Sequence, residues 1–269
     1  MAAATVTSVT GYRELPAPPS LRSEAECRWR SVLPAGAAPR STLVLPDGCM
    51  DLMWMDGELV VAGPDTVAHT VERRPGMVIH GLRLHPGVAP ALLGVPADAL
   101  RDQRVRLAEL APTAAARTTA AIADGISPAA ALTELATRLR ATNSGPEPAL
   151  AAAAALLRRG GSVAGTAAEL GWTVRSLHRR CAAGFGYGPA VLRRVLRFRR
   201  AVALARAGVP AADAAAETGY ADQPHLSREV RALAGVPLGQ LLAGPGEDDE
   251  EGRGANRSTP LPSGSCTVA

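Results

Sequence analysis

Between Cys27 and Val105 the apolar residues fall in short runs that alternate with polar ones or continue for four to six positions. Ser41-Thr-Leu-Val-Leu45, Met50-Asp-Leu-Met-Trp-Met55, Glu58-Leu-Val-Val-Ala62 and Met77-Val-Ile-His-Gly-Leu-Arg-Leu84 are of this kind, bounded by Pro46-Asp-Gly48, Asp56-Gly57, Gly63-Pro-Asp65 and Pro75-Gly76. Runs of that length between turn residues predict strands, and Asp-Gly between two of them predicts a hairpin. After Pro86-Gly87 a short helix is expected around Val88–Leu93. From Ala108 to Ala141, Leu and Ile recur among alanines at helical spacing and predict one or two helices. Asn143-Ser-Gly-Pro146 reads as a linker, and beyond it the period stays helical to Ala243. The expected class is α+β: a β-rich amino-terminal domain, then an all-α carboxy-terminal domain. The boundaries that follow are a flexible segment over 1–20, a β-rich domain with a helical end over 21–145, a helical domain over 146–243, and an acidic, disordered tail over 244–269.

The helical domain contains an internal repeat. Ala167-Ala-Glu-Leu-Gly171 returns as Ala215-Ala-Glu-Thr-Gly219, 48 residues later. Leu177-His-Arg-Arg returns as Leu226-Ser-Arg-Glu, and Gly186 as Gly235, both at an offset of 49. The extra residue falls in the turn, Trp172-Thr against Tyr220-Ala-Asp, where it leaves both flanking helices intact. Each copy has the layout of a helix-turn-helix. A small-residue helix (Val163–Leu170, Ala211–Thr218) ends at a glycine that can adopt positive φ. An aromatic plugs the turn, and Thr173 or Asp222 caps the second helix. In the first copy Val174, Leu177 and Cys181 form the expected core stripe, with Arg175, Ser176, His178 and Arg179 outward and Arg180 at the edge. In the second, Leu226, Val230 and Leu233 face inward and Gln223, His225, Ser227 and Arg228 face out. Between the copies, Pro189 to about Ala207 is one helix of roughly 28 Å. Such a spacer suits two recognition helices set about one duplex turn, roughly 34 Å, apart. Its arginines are expected to supply one or two phosphate contacts, the rest serving solubility.

Charge sharpens this picture. All 29 basic residues are arginine and the formal net charge is +4. The charge is segregated: residues 1–145 balance at 14 Arg and 14 acids, residues 146–243 hold 13 Arg against 6 acids, and the tail holds 2 against 5. A basic block of this kind fits a polyanion partner, here double-stranded DNA. Arginine can pair bidentately with guanine and glutamine with adenine. For Arg179 and Arg228 the alternative is a salt bridge across the bundle. For His178 and His225 the choice lies between a base or phosphate contact and an ordinary solvent-facing position.

Gly-Tyr-Ala-Asp-Gln-Pro-His-Leu-Ser-Arg-Glu over 219–229, followed by Gly235-Val-Pro-Leu, closely resembles the second helix-turn-helix signature of the AraC/XylS family of bacterial regulators. With the first copy and the connecting helix, the resemblance covers about 148–242. It implies a transcription factor that reads DNA sequence with Arg175, His178 and Arg179 in the first unit and Gln223, His225 and Arg228 in the second. Ser227 and Thr173 would then meet phosphate. RNA polymerase, a small-molecule effector and a second copy of the chain are the further partners implied. Two features depart from the family: Cys181 and Val230 stand where phenylalanine is usual, and Gly235-Val-Pro237 shortens a Gly-x-x-Pro.

In the amino-terminal half, Leu45-Pro-Asp-Gly-Cys-Met-Asp-Leu52, Ala62-Gly-Pro64 and Gly81-Leu-Arg-Leu-His-Pro-Gly87 resemble an uncharacterised β-rich domain found ahead of such DNA-binding units in actinobacterial regulators. The resemblance implies sensing or assembly. Arg83 is its candidate contact for an anionic effector; Asp47, Cys49, Asp51, His80 and His85 are read first as turn or structural residues. No cofactor and no metal are expected, since the four cysteines show no ligand spacing. No signal peptide or membrane-length apolar run is found, so a cytoplasmic location is expected. P-loop, GxSxG and HExxH motifs are missing, and enzymatic activity is not expected. One enzymatic alternative is a cysteine alkyl acceptor fused to the DNA-binding domain, with Cys49 as the thiol. Another reading, decayed helix-turn-helix units, fits poorly with the arginines and glutamine kept on both outer faces.

Overall fold

The computed structural model describes residues 11–143, 145–243 and 257–258. The amino-terminal part is built from β1 (Tyr12–Pro16), β2 (Ala25–Val32), β3 (Arg40–Val44), β4 (Met50–Met55), β5 (Glu58–Ala62), β6 (His69–Arg73), β7 (Val78–Leu84) and β8 (Arg104–Arg106). Six of these form an antiparallel sheet in the order β1-β2-β7-β4-β5-β8, and β3 pairs antiparallel with β6 in a separate layer. A two-residue strand, β9 (Arg257–Ser258), runs parallel to β3. The rest of the tail expected to be disordered lies outside the described residues. Residues 12–16, expected to be flexible, are instead an edge strand paired with β2 from Tyr12↔Ser31 to Pro16↔Cys27.

Alternation along the strands assigns the two faces of the large sheet. Leu52, Leu59, Leu82 and Leu84 point to one side, where α1 (Ala89–Leu93), α2 (Leu107–Leu110), α3 (Pro112–Ala123) and α4 (Pro128–Thr142) cover them with Leu92, Leu132, Leu135 and Leu139. Full burial of each such leucine contributes about 1.5–3 kcal/mol. Met53, Met55, Val60 and Ile79 point to the other side, toward the β3–β6 strand pair. The Asp56-Gly57 turn has positive φ at both residues (50° and 80°), as a two-residue hairpin between right-twisted strands requires. Gly81 has a different reason to be glycine: a Cβ there would run into the Trp29 indole, which lies flat across β7.

The carboxy-terminal part is all helical: α5 (Pro148–Arg158), α6 (Val163–Glu169), α7 (Val174–Phe185), α8 (Pro189–Arg206), α9 (Ala211–Glu217), α10 (Gln223–Ala234) and α11 (Leu238–Leu242). It has two cores. Leu150, Leu157, Leu177, Cys181, Phe185 and Leu192 form the first, and Phe198, Val202, Leu226, Val230 and Leu233 the second. No described helix is long and apolar enough to cross a membrane.

The two parts are docked through the middle of α8, the turn before it and the end of α10. Leu43 and Leu45, at the end of β3, enter the second helical core, and the Ala68 N–H donates to the Leu233 carbonyl at 2.7 Å. At the other end Arg101 donates to the Gly186 carbonyl at 3.2 Å. In the middle Arg199 of α8 reaches Glu26 of β2 at 2.6 Å.

Candidate nucleic-acid interface

The first helix-turn-helix is α6 and α7. The Ser162 hydroxyl accepts from the Gly165 N–H and starts α6. Gly171, at φ 66°, turns the chain, and the Thr173 hydroxyl accepts from the Ser176 N–H at 3.1 Å to start α7. Leu177 and Cys181 are fully buried, which fixes the rotation of α7 and leaves Arg175, His178 and Arg179 exposed. Val174 does not continue the core stripe as the spacing suggested. It is 45% exposed, at the first position of α7.

The second unit, α9 and α10, repeats the construction. Gly219 has φ 76°, and the Asp222 carboxylate accepts from the His225 N–H at 2.6 Å. Leu226 and Val230 are fully buried, and Gln223 and Arg228 are exposed. Ser227 is half-buried. His225 is drawn back toward the turn: its ring meets Tyr220 edge-on at 5.2 Å, and its Nδ1 accepts from the Ala221 N–H at 3.4 Å. This leaves Nε2–H as the donor that can face outward.

Three arginines on these faces are uncommitted. Among the described residues, Arg175, Arg179 and Arg228 have no ion-pair partner, so the salt bridge considered for Arg179 and Arg228 is not formed. Arg180, at the edge of α7, pairs with Glu147 and lies over Trp172 at 4.6 Å.

The connecting-helix arginines depart most from expectation. Arg194 makes a two-pronged contact to Glu229 of α10 at 2.7 and 3.1 Å, and this hydrogen bonding raises its pKa. Arg197 stacks over Tyr220 at 4.1 Å and donates to the Gly219 carbonyl. Arg199 is buried against Glu26. Arg194, Arg197 and Arg199, expected to serve phosphate or solubility, therefore hold the second unit and the amino-terminal part onto α8. Arg193 and Arg200 are left for solvent or phosphate.

Arg83 does face the interior space between the large sheet and the β3–β6 pair, but it is already enclosed by Asp47 (3.3 Å), Asp51 (3.5 Å) and Glu14 (3.5 Å). Burial alone would lower its pKa; Asp51 and Asp47 outweigh this and hold it well above the ordinary value. Cys49 is buried beside Arg199, and burial pushes its thiol well above the usual range. A nucleophilic thiolate needs the opposite surroundings. Among the described residues no group of His, Cys, Asp or Glu is arranged to hold a metal ion.

Residues 166–244 match the family described as a helix-turn-helix domain, a span that takes in both recognition helices. Residues 13–106 match a family described as a domain of unknown function (DUF6597). No curated protein matches the chain. Among solved structures, an apo variant of ToxT from Vibrio cholerae strain SCE256 is 11% identical, with a TM-score of 0.45 over 80% of this chain and 96% of that one. ToxT from Vibrio cholerae O395 is 10% identical, with a TM-score of 0.45 over 86% and 97%. Wild-type ToxT from strain SCE256 with bound unsaturated fatty acid is 9% identical, with a TM-score of 0.43 over 77% and 94%.

Proposed function

We propose that this chain, a DNA-binding transcriptional regulator whose carboxy-terminal part is an AraC-type helix-turn-helix domain, reads two adjacent major-groove segments with α7 and α10 and is controlled through its amino-terminal domain. The observation that carries this reading is the contrast among the arginines. Arg175, Arg179 and Arg228 stand exposed and unpaired on the two recognition helices, while Arg180, Arg194, Arg197 and Arg199 are held by protein groups. An exposed guanidinium at the start or middle of a recognition helix can make a bidentate contact to guanine O6 and N7. Gln223, first in α10, is placed for adenine. His178 and the Nε2–H of His225 supply further donors, and Thr173 and Ser227 fall where phosphate would pass. Val174 offers an apolar contact to a thymine methyl. The DNA-binding unit is taken as 146–243, and its balance of 13 Arg against 6 acids supplies the non-specific attraction. Because one chain carries both recognition helices, reading an operator needs no second copy.

Selection of genomic fragments bound by the full chain tests this. Enriched fragments are expected to share two short conserved blocks about one helical turn apart. Enrichment without any shared sequence would reduce the protein to a non-specific binder.

A further inference from the structure

A cavity of 590 Å³ lies between the inner face of the large sheet and the β3–β6 strand pair. Its two ends differ in charge. At one end every guanidinium is answered: Arg83 by three carboxylates, and Arg104 by Asp65 at 2.7 Å. At the other end Arg73 is 7% exposed and its Nη1 donates to the Ser31 hydroxyl at 2.7 Å. Among the described residues it has no carboxylate within salt-bridge distance, and its Nε has no hydrogen-bond partner. Its cross-strand neighbour is Arg40, whose buried Nε and Nη1 are also unpartnered. Asp56, the acid whose charge reaches Arg73, is taken by Arg74 at 2.7 Å. Glu58, on the cavity rim, is exposed to solvent. A buried guanidinium without an ion-pair partner on the cavity lining, with a second one beside it on the adjacent strand, is an expensive arrangement for a protein to keep. Between the ends, Trp29, Met53, Met55, Val60, Val71 and Ile79 make an apolar stretch.

The geometry points to a binding site for an organic acid: its anionic head is held by Arg73 and Ser31, and its apolar body lies along Met55, Ile79, Met53 and Trp29. The acid supplies the missing counter-charge, and the other end, already balanced or acidic, sets the orientation by repelling the head. Arg40 adds positive potential from the adjacent strand. The wall of this site is also the contact with the DNA-binding part. Strand alternation puts Thr42 and Val44, with their partners Val71 and His69, on the cavity side of this strand pair, and Leu43 on the side that enters the second helical core. An occupant that moves β6 therefore bears on α10. This regulatory consequence rests on the proposed DNA reading; the site itself does not.

The test uses the full chain and two fluorescent probes of like shape, anionic 8-anilinonaphthalene-1-sulfonate and neutral N-phenyl-1-naphthylamine. The sulfonate is expected to bind at one site per chain. Arg73→Met should weaken it by about tenfold or more while changing the neutral probe by less than about twofold; Arg73→Lys should retain most of the affinity. Equal losses for both probes, or no loss for the sulfonate, would overturn the assignment. If circular dichroism shows that Arg73→Met does not fold, Ser31→Ala must show the same preference for the anionic probe in weaker form, and its failure to do so would equally overturn it. Operator binding is measured on the same samples. Failure of the sulfonate test with operator binding intact sinks the acid site alone; failure of operator selection with the sulfonate result intact sinks the DNA reading alone.

Discussion

Arg199 of α8 and Glu26 of β2 form an ion pair at 2.6 Å between the DNA-binding part and the amino-terminal sheet, with both side chains largely buried. Arg199 also donates to the Asp47 carbonyl, and the Asp47 side chain in turn faces Arg83. The connecting helix of the two recognition units is therefore wired into the polar end of the sandwich cavity. His85 lies on the other side of Glu26, at 3.8 Å.

Acid should weaken this junction. Burial alone raises the pKa of Glu26, but the nearby His85 and the hydrogen bonds and charge of Arg199 outweigh it and hold the carboxylate below its usual range. A depressed carboxylate contributes stability that is present above its unfolded value of about 4.3 and is lost as pH falls toward the folded value. Glu26→Gln should cost about 3 kcal/mol at neutral pH by stranding Arg199, and should flatten the acid limb of the stability curve. Urea unfolding from neutral pH down through 3 measures both; an acid limb as steep as that of the unaltered chain would remove Glu26 from the account.

Arg179→Ala and Arg228→Ala should each weaken operator binding by about 1–3 kcal/mol and relax preference only at the block read by that helix. Neither arginine has a partner within the protein, so the unfolding midpoint should stay put. Competition titrations against operators mutated in one block or the other give the comparison.

Arg194→Ala should do the reverse. Losing the two-pronged contact to Glu229 should cost about 1–3 kcal/mol of stability and leave the order of preferred sequences unchanged. Arg200→Ala, which removes an exposed charge, should instead lower the salt slope of binding by about 1 if it meets a phosphate, with no change in stability.

Asp222→Ala removes the acceptor that starts α10. About 1 kcal/mol of stability should go, measured by thermal unfolding, while Asp222→Asn or Ser should recover most of it. Loss of operator binding at full stability would give Asp222 a direct DNA contact instead.

What could be read from the sequence followed from how local the signals were. β4, β5 and β7 alternate, and Asp56-Gly57 marks the hairpin, so these were visible. β6 was not: His69-Thr-Val-Glu-Arg73 has one apolar residue in five, because its inner face runs from one polar end of the cavity, at His69, to the other, at Arg73. β1, an edge strand with two charges and a proline, carries no alternation strong enough to notice. The repeat gave both helix-turn-helix units, with turn glycines and caps where the structure has them. Val174 misled because its spacing fits the stripe although the side chain, at the first position of α7, is 45% exposed. The roles of Arg194, Arg197 and Arg199 were hidden for a simpler reason: their partners are distant in the chain, Glu26 by 173 residues, and a row of arginines on a helix looks alike whether it faces phosphate or protein.

Hydroxyl-radical footprinting of the chain on a selected operator tests the reading of two groove segments most directly. The prediction is two protected patches on one face of the duplex, about 10 base pairs apart, from a single chain per operator, with Arg228→Ala thinning one patch only. A single patch, or two patches that need two chains, would contradict it.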